Sequence, residues 1–258
     1  MFLLPQQIPA TAPHRIVSLV PSITELLYAL GLQNNIAGIT KFCIHPPHLK
    51  NNSIIIGGTK NLRIPTILQL QPDLVIANKE ENLRNEVEIL AAQIPVLLTD
   101  VSNLEDALNM IKQIGSVTHT SENAAGICYQ VQNQFKQIIK PYPSLNACYM
   151  IWQQPYMVAG GDTFISNMMQ YCGLNNIYQQ QSRYPSINIK ELTEKKCDLL
   201  LLSTEPYPFT KQHVAQLSKA LPATKVIMAD GEMFSWYGSR LIQAPAYFTK
   251  LLQNSLPG

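Results

Sequence analysis

Apolar and polar positions in this 258-residue chain alternate between two patterns, short continuous apolar runs and longer stretches with helical spacing. Ile16-Val-Ser-Leu-Val20 has the length of a strand, and Pro21-Ser22 turns it into a helix. Runs at 36–39, 54–56, 74–77 and 96–98 predict further strands, and the stretches 66–70, 80–92 and 103–114 predict helices. A helix is then predicted over 121–140, after which the pattern restarts. Strands are predicted at 147–152, 198–202 and 226–228, with helices at 163–172, 210–221 and 239–252. Continuous apolar strands separated by helices are the signature of parallel sheets covered on both faces.

The helix at 121–140 occupies a special place. Ser121 and Glu122 suit a helix start, while Ala124, Cys128, Val131, Phe135 and Ile138 draw one apolar stripe. Gly126 costs such a helix roughly 1 kcal/mol against alanine, and Pro141 with Pro143 ends it. The chain before this helix resembles the chain after it. Ser22-Ile-Thr-Glu-Leu-Leu-Tyr-Ala-Leu runs into Gly31-Leu-Gln-Asn-Asn-Ile36, and Thr163-Phe-Ile-Ser-Asn-Met-Met-Gln-Tyr-Cys runs into Gly173-Leu-Asn-Asn-Ile177. The stretch from Ile64 to Asn78 is matched in the same way by Ile187 to Ser203. Repetition of this kind predicts two copies of one α/β lobe. Residues 1–120 form one lobe, 121–140 the connecting helix and 141–258 the other lobe.

Composition narrows the function classes. An apolar fraction of 46% with 14% charged residues is that of a globular chain, and a net charge of +2 gives no footing for nucleic acid or an anionic membrane. No window reaches the length of a membrane span. The start, Met1 to Arg15, lacks a basic leader, and Pro5 and Pro9 interrupt its apolar part, so it does not read as a signal peptide. Five cysteines, at 43, 128, 148, 172 and 197, are scattered without CxxC spacing. They read as buried free thiols, in keeping with a reducing compartment or with export through a leader since removed.

Candidate chemistry follows from the rule that open parallel sheets hold ligands beyond the carboxyl ends of their strands. In the first lobe that rule selects Pro21 with Ser22, Lys41 with Phe42, Thr59 with Lys60, Asn78, Lys79, Glu80 and Glu81, and Thr99 with Asp100. In the second it selects Trp152 with Tyr156, Glu205 with Tyr207, and the stretch Asp230 to Arg240. Within that stretch Trp236 and Tyr237 offer stacking area, Arg240 a bidentate anion donor and Glu232 an acceptor. Gly160-Gly161-Asp162-Thr163 fits either a plain helix cap, from Asp162 or Thr163, or an anion-receptive helix start. Catalytic signatures are missing: the chain has no GxSxG elbow, phosphate loop or GxGxxG. His45 and His48 are separated by two prolines and read as turn residues rather than metal ligands.

Arg15-Ile-Val-Ser-Leu-Val-Pro-Ser-Ile-Thr-Glu-Leu, Gln71-Pro-Asp-Leu-Val-Ile-Ala, the long helix, Gly160-Gly-Asp-Thr-Phe-Ile and Trp236-Tyr-Gly-Ser-Arg240 together resemble the substrate-binding proteins of cobalamin and iron-siderophore ABC importers. The resemblance runs from Arg15 to about Leu252. It implies two Rossmann-like α/β lobes with parallel sheets, bridged by one long rigid helix, and a ligand cleft between the lobes. It also implies capture of a cobalamin-like molecule or ferric chelate without catalysis, hand-over to an ABC permease, a monomer, and no resident cofactor or metal. The ligand-binding set is Pro21, Lys41, Phe42, Thr59, Asn78, Lys79, Glu80, Trp152, Tyr156, Asp162, Glu205, Tyr207, Trp236, Tyr237 and Arg240.

Cobalamin binders of the family carry cleft tryptophans where this chain has Thr59, Asn78 and Ser186. Their permease-docking glutamates correspond here to Pro65 and to Lys190 beside Glu191. The family is exported or lipid-anchored, whereas the start of this chain leaves a cytoplasmic location open. Two rival readings stand beside the capture protein. One is a direct metal-ion receptor using His45, His48 and Glu232. The other is a cytoplasmic sensor or enzyme built on the same fold.

Overall fold

The computed structural model describes residues 11–49, 53–140 and 143–255. The readings made for Met1–Ala10, including Pro5 and Pro9, and for Pro141 lie outside them. The chain divides into two units, one holding the described residues up to Val101 with Glu105–Val131 and Tyr237–Arg240, the other holding the rest.

In the first unit, β1 (Ile16–Ser18) leads into α1 (Pro21–Ala29), whose proline fills a first-turn position that needs no N–H. Then follow β2 (Ile36–Ile39), β3 (Ile54–Ile55) and the hairpin β4 (Gly57–Gly58) with β5 (Asn61–Leu62). Next come α2 (Ile64–Gln69), β6 (Leu74–Asn78), α3 (Arg84–Ala91), β7 (Val96–Thr99), α4 (Leu104–Val117) and α5 (Ser121–Phe135), of which Leu104 and the last turn of α5 from Gln132 are counted in the second unit. The main sheet runs β3-β2-β1-β6-β7 and is parallel throughout. Its central strands, β1 and β6, are buried along their whole length, as strands covered on both faces are.

The second unit contains β8 (Leu145–Trp152), β9 (Tyr156–Val158), α6 (Phe164–Tyr171), β10 (Leu174–Asn176), β11 (Ser186–Ile187), α7 (Ile189–Glu194) and β12 (Leu199–Ser203). After these come α8 (Lys211–Ala220), β13 (Lys225–Ala229), α9 (Gly231–Ser235) and α10 (Ala244–Ser255). Its sheet runs β11-β9-β8-β12-β13, with β10 alongside the start of β8. The expected parallel sheet is mixed here, because β9 runs antiparallel to both its neighbours, β8 and β11. The short turn from Trp152 to Tyr156 leaves no room for the crossover that a parallel neighbour demands. Cys148, Met150, Leu200, Leu202 and Phe209 form the core of this sheet. All five cysteines are buried and none is in a disulfide.

The internal repetition is present at the level of backbone detail. α1 and α6 each end at a glycine with positive φ, Gly31 at 86° and Gly173 at 74°, a conformation glycine adopts without penalty. After α2 and α7 the chain again turns through positive φ, at Gln71 (46°) and Lys196 (51°). The aspartate that follows closes the same loop in each copy. Asp73 accepts from the His14 and Arg15 N–H groups and donates its own N–H to the Arg15 carbonyl. Asp198 accepts from the Asn146 N–H and donates to the Asn146 carbonyl. Each aspartate thus ties the start of one strand to the strand that leads its unit.

Three helix boundaries differ from expectation. α3 begins at Arg84, not at residue 80, because Asn78 Oδ1 accepts the N–H groups of Glu80 and Glu81 and wraps 79–82 into a turn. α5 stops at Phe135, not at residue 140. Its end tightens as Gln137 N–H bonds the Gln134 carbonyl, and the chain then meets Thr249 through the Ile139 N–H. Ala124, Cys128, Val131 and Phe135 of its stripe are buried, while Ile138 lies beyond the helix and is half-buried. The stretch 239–252 is split into a 3-10 turn (Ser239–Ile242) and α10, with Pro245 in the first turn of the latter.

Candidate functional site

Each unit carries its own set of side chains at the carboxyl ends of its strands. In the first, Pro21 opens α1. Lys41 follows β2 closely, its N–H bonded to the Gly57 carbonyl and its Nζ 5.0 Å from the centre of the Phe42 ring. Phe42 is 51% exposed. A cation over an exposed ring contributes about 0.5–1 kcal/mol.

Asn78, by contrast, is buried and committed to the fold. Its amide donates to the Thr99 carbonyl and hydroxyl while its carbonyl holds the Glu80 and Glu81 N–H groups. Asn82 completes this knot, accepting from the Asn78 N–H and donating to the carbonyls of Leu19 and Thr59. Thr59 is therefore fixed through its backbone, and Glu80 is half-buried beside the knot. Lys79 is exposed and paired with Asp100 at 2.6 Å. A cavity of about 240 Å³ opens next to these residues, lined by Asn78, Lys79, Arg84, Val87 and Leu98 among others.

In the second unit Trp152 is 39% exposed and meets Tyr207 edge to face at 5.5 Å. Tyr207 is held from three sides. Its hydroxyl donates to Gln153 Oε1 at 2.8 Å, and its ring packs on Phe209 at 4.7 Å and His213 at 5.7 Å. His213 Nδ1 accepts the Thr210 N–H at the start of α8, so in the neutral ring the proton is on Nε2, the side facing Tyr207. Tyr156 is half-buried on β9. The result is an aromatic edge whose geometry is set by hydrogen bonds rather than left to the side chains.

Glu205 lies two residues before Tyr207 in the same unit. Its Oε1 accepts from Trp236 Nε1 at 2.8 Å and from Ser235 Oγ at 3.0 Å. Burial pushes its carboxyl above the ordinary range; the Ser235 bond opposes this, and the nearby Glu232 charge reinforces it. Ser203 Oγ donates to the Glu205 carbonyl, so Tyr149 donates to Ser203, and burial holds the Tyr149 hydroxyl well above the usual range for tyrosine. Gly231 is pressed against this group: a Cβ there would meet Glu205 Cγ at 2.3 Å and Ser203 Oγ at 2.8 Å.

The Gly160–Thr163 stretch takes the plain-cap alternative. Gly160 and Gly161 donate their N–H groups to the carbonyls of Arg183 and Gln181, so that loop is closed by chain and offers no anion cradle. Thr163 caps α6 by accepting the Ser166 N–H, and Asp162 accepts the Arg183 N–H. Tyr237 and Arg240, expected in the second lobe, belong to the first unit. There Arg240, 8% exposed, is already forked onto Glu25, with Nη2 at 2.8 Å from Oε1 and Nε at 3.1 Å from Oε2. Trp236, the last of its stretch in the second unit, is buried as well.

The sequence reading overlooked Asn82, Gln153, His213 and Ser203. His213 three residues after Thr210 is a capping-box spacing in which histidine stands in for the usual Glu or Gln. Among the described residues no group of three or more His, Cys, Asp and Glu can hold a metal ion. His48 Nε2 is 3.0 Å from the Tyr28 hydroxyl. Among the same residues no helix is long and apolar enough to cross a membrane.

Two α/β units, each with functional side chains at strand ends, define a class of ligand-binding protein, and the comparisons identify the family. Residues 16–230 match the periplasmic binding protein family, and the chain belongs to it. A vitamin B12-binding protein of Pectobacterium carotovorum is 24% identical over 254 residues, covering 95% of this chain and 91% of that one. Among solved structures, a periplasmic heme-binding protein of Vibrio cholerae superposes with a TM-score of 0.79 at 22% identity, covering 92% of this chain and 98% of the other. A protein of the ABC-type Fe3+-hydroxamate transport system of Saccharomonospora viridis gives 0.74 at 17% identity, with 94% of each chain covered. At these identities the structures establish the fold.

Proposed function

We propose that this chain is a substrate-binding protein for import, capturing a small molecule in which an organic ligand holds a metal, either cobalamin-like or an iron chelate. The family match over residues 16–230 carries this reading. The relatives are named for vitamin B12, heme and Fe3+-hydroxamate; all three are metal chelates, and vitamin B12 and heme carry a large conjugated ring. Exposed Phe42 with Lys41, and Trp152 with Tyr207 and Tyr156, are the side chains that suit such a surface. Lys79 supplies a cation for an acidic group. Asn78, Thr59, Asp162, Glu205, Trp236, Tyr237 and Arg240 hold the frame, since their polar atoms or buried surfaces are already engaged; Pro21 and Glu80 flank it.

Binding in this reading makes and breaks no covalent bond, and the bound molecule passes to an ABC permease. The permease contact would not use a glutamate on each unit. Pro65 is an exposed first-turn residue of α2, and Glu191 is spent on the α7 cap, accepting the Asn188 N–H at 2.8 Å. A thermal-shift titration with cobalamin, cobinamide, haem and a panel of ferric siderophores tests the proposal. A ligand at 100 times its dissociation constant adds about 2.7 kcal/mol of stability. A shift with one of these chelates supports capture and names the cargo. A shift with free iron or cobalt salts but with no chelate overturns it in favour of a metal-ion receptor.

A further inference from the structure

The β4–β5 hairpin lies against the exposed Lys41–Phe42 pair, and hairpin and pair belong to the first unit. A Cβ on Gly58 would meet Phe42 Cε2 at 3.3 Å and Lys41 Cε at 3.5 Å, so both side chains rest on bare backbone. The Lys41 N–H is bonded to the carbonyl of the neighbouring Gly57 at 2.8 Å. A hairpin this short has little stability of its own, and it is tied down at three places. At its base the Arg63 N–H donates to the Ile56 carbonyl at 2.8 Å. In its turn the Thr59 carbonyl accepts from Asn82 Nδ2 at 3.0 Å. On β5 the Leu62 N–H donates to Glu86 Oε1, from α3, at 3.0 Å. Among the described residues that is the one hydrogen bond of the Glu86 carboxylate, whose Oε2 is buried without a partner.

We propose that Glu86 is a positioning residue for the Phe42 ring. It accepts from a donor on β5 that would otherwise go unpaired, and it thereby holds the hairpin whose Gly58 is the shelf under the ring. The consequence for capture rests on the proposed role of Lys41 and Phe42 as ligand contacts. The place of the ring does not, because it is read on the ligand-free protein. The competing explanation is local: an acid in the first turn of α3 favours that helix start whatever it does for the hairpin.

The chain contains seven phenylalanines, so labelling with para-fluorophenylalanine gives a short fluorine NMR spectrum in which Phe42→Leu assigns the Phe42 signal by its loss. Glu86→Met keeps the length of the side chain and removes both charge and acceptor. In the full-length, ligand-free protein it is expected to move the Phe42 signal and to speed amide exchange at Leu62 about tenfold. Glu86→Gln removes the charge but keeps an oxygen for Leu62, and is expected to return both readings to those of the parent. Should Glu86→Met fail to fold, Glu86→Asp keeps the charge, draws the oxygen back by one methylene and is read in the same way. Cyanocobalamin and haemin are then titrated into each form. Whichever the parent binds is expected to bind about tenfold more weakly to Glu86→Met and equally well to Glu86→Gln. A parent that binds neither counts against Phe42 as a ligand contact, and the fluorine signal alone then decides the positioning. An unmoved Phe42 signal in a folded Glu86→Met protein, even one of lower melting temperature, would overturn the proposal. A Glu86→Gln protein that moves the signal as far as Glu86→Met would overturn it too, because charge at the helix start would then be the cause.

Discussion

Replacing Glu205 by glutamine is expected to stabilise this protein at neutral pH. The carboxylate is half-buried, and burial is the largest influence on its titration, ahead of the bond from Ser235 that favours the charge. Partly drying an ion costs several kcal/mol, whereas each charge-assisted bond exceeds its neutral counterpart by only about 1 kcal/mol. Glu205 has two such bonds, from Trp236 and Ser235. Glutamine keeps a carbonyl oxygen for both donors and removes the charge, so the net gain is about 1 kcal/mol.

The sign of the pH dependence follows from the raised pKa. The folded protein binds the Glu205 proton more tightly than the unfolded chain does. Its contribution is therefore complete below the ordinary carboxylate range and is lost as pH rises through the raised folded value. Melting temperatures of Glu205→Gln and the parent should agree at low pH, separate as pH rises, and differ by a constant amount near neutrality. For a chain of this size about 1 kcal/mol corresponds to roughly 2–4 °C. A variant less stable than the parent at pH 7, or a difference that does not change with pH, would refute the reasoning, because the hydrogen bonds would then outweigh the buried charge.

Gly231→Ala should cost about 1–3 kcal/mol by overpacking, since the added methyl would fall 2.3 Å from Glu205 Cγ; chemical denaturation measures it, and a neutral result would show that the Glu205 loop yields. Lys79→Ala should change stability by less than about 1 kcal/mol, because it and Asp100 are 68% and 64% exposed as side chains. If Lys79 instead meets an anionic ligand, its loss should weaken binding of a chelate identified by the titration and spare the melting temperature of the unliganded protein.

Much of the fold was legible because strand burial and helical spacing are local properties. The runs of β6 and β12 are apolar up to their closing polar residue and that of β1 carries a single serine, and all three form where they were expected. The paired halves were legible for the same reason, down to Gly31 and Gly173. Boundaries failed where a side chain competed with the helix. No periodicity reveals that Asn78 takes the N–H groups of Glu80 and Glu81, or that a five-residue return from β8 forces an antiparallel neighbour. The candidate site was legible as a list of strand-end residues but not as a division of labour. Phe42 and Trp152 are exposed while Arg240 and Trp236 are spoken for, and that difference depends on partners such as Glu25 and Glu205 that are far away in sequence.

That division of labour bears on how such a chain can change its cargo. The residues that anchor the strand ends, Asn78 and Asn82 in one unit and Ser203 and Trp236 in the other, satisfy buried polar groups and cannot be exchanged without leaving some unpaired. Lys41, Phe42, Lys79 and Trp152 carry no such obligation to the core. Substituting them leaves the hydrogen-bonded scaffold beneath intact. A scaffold held by its own buried polar pairs can keep one fold while its exposed strand-end side chains diverge.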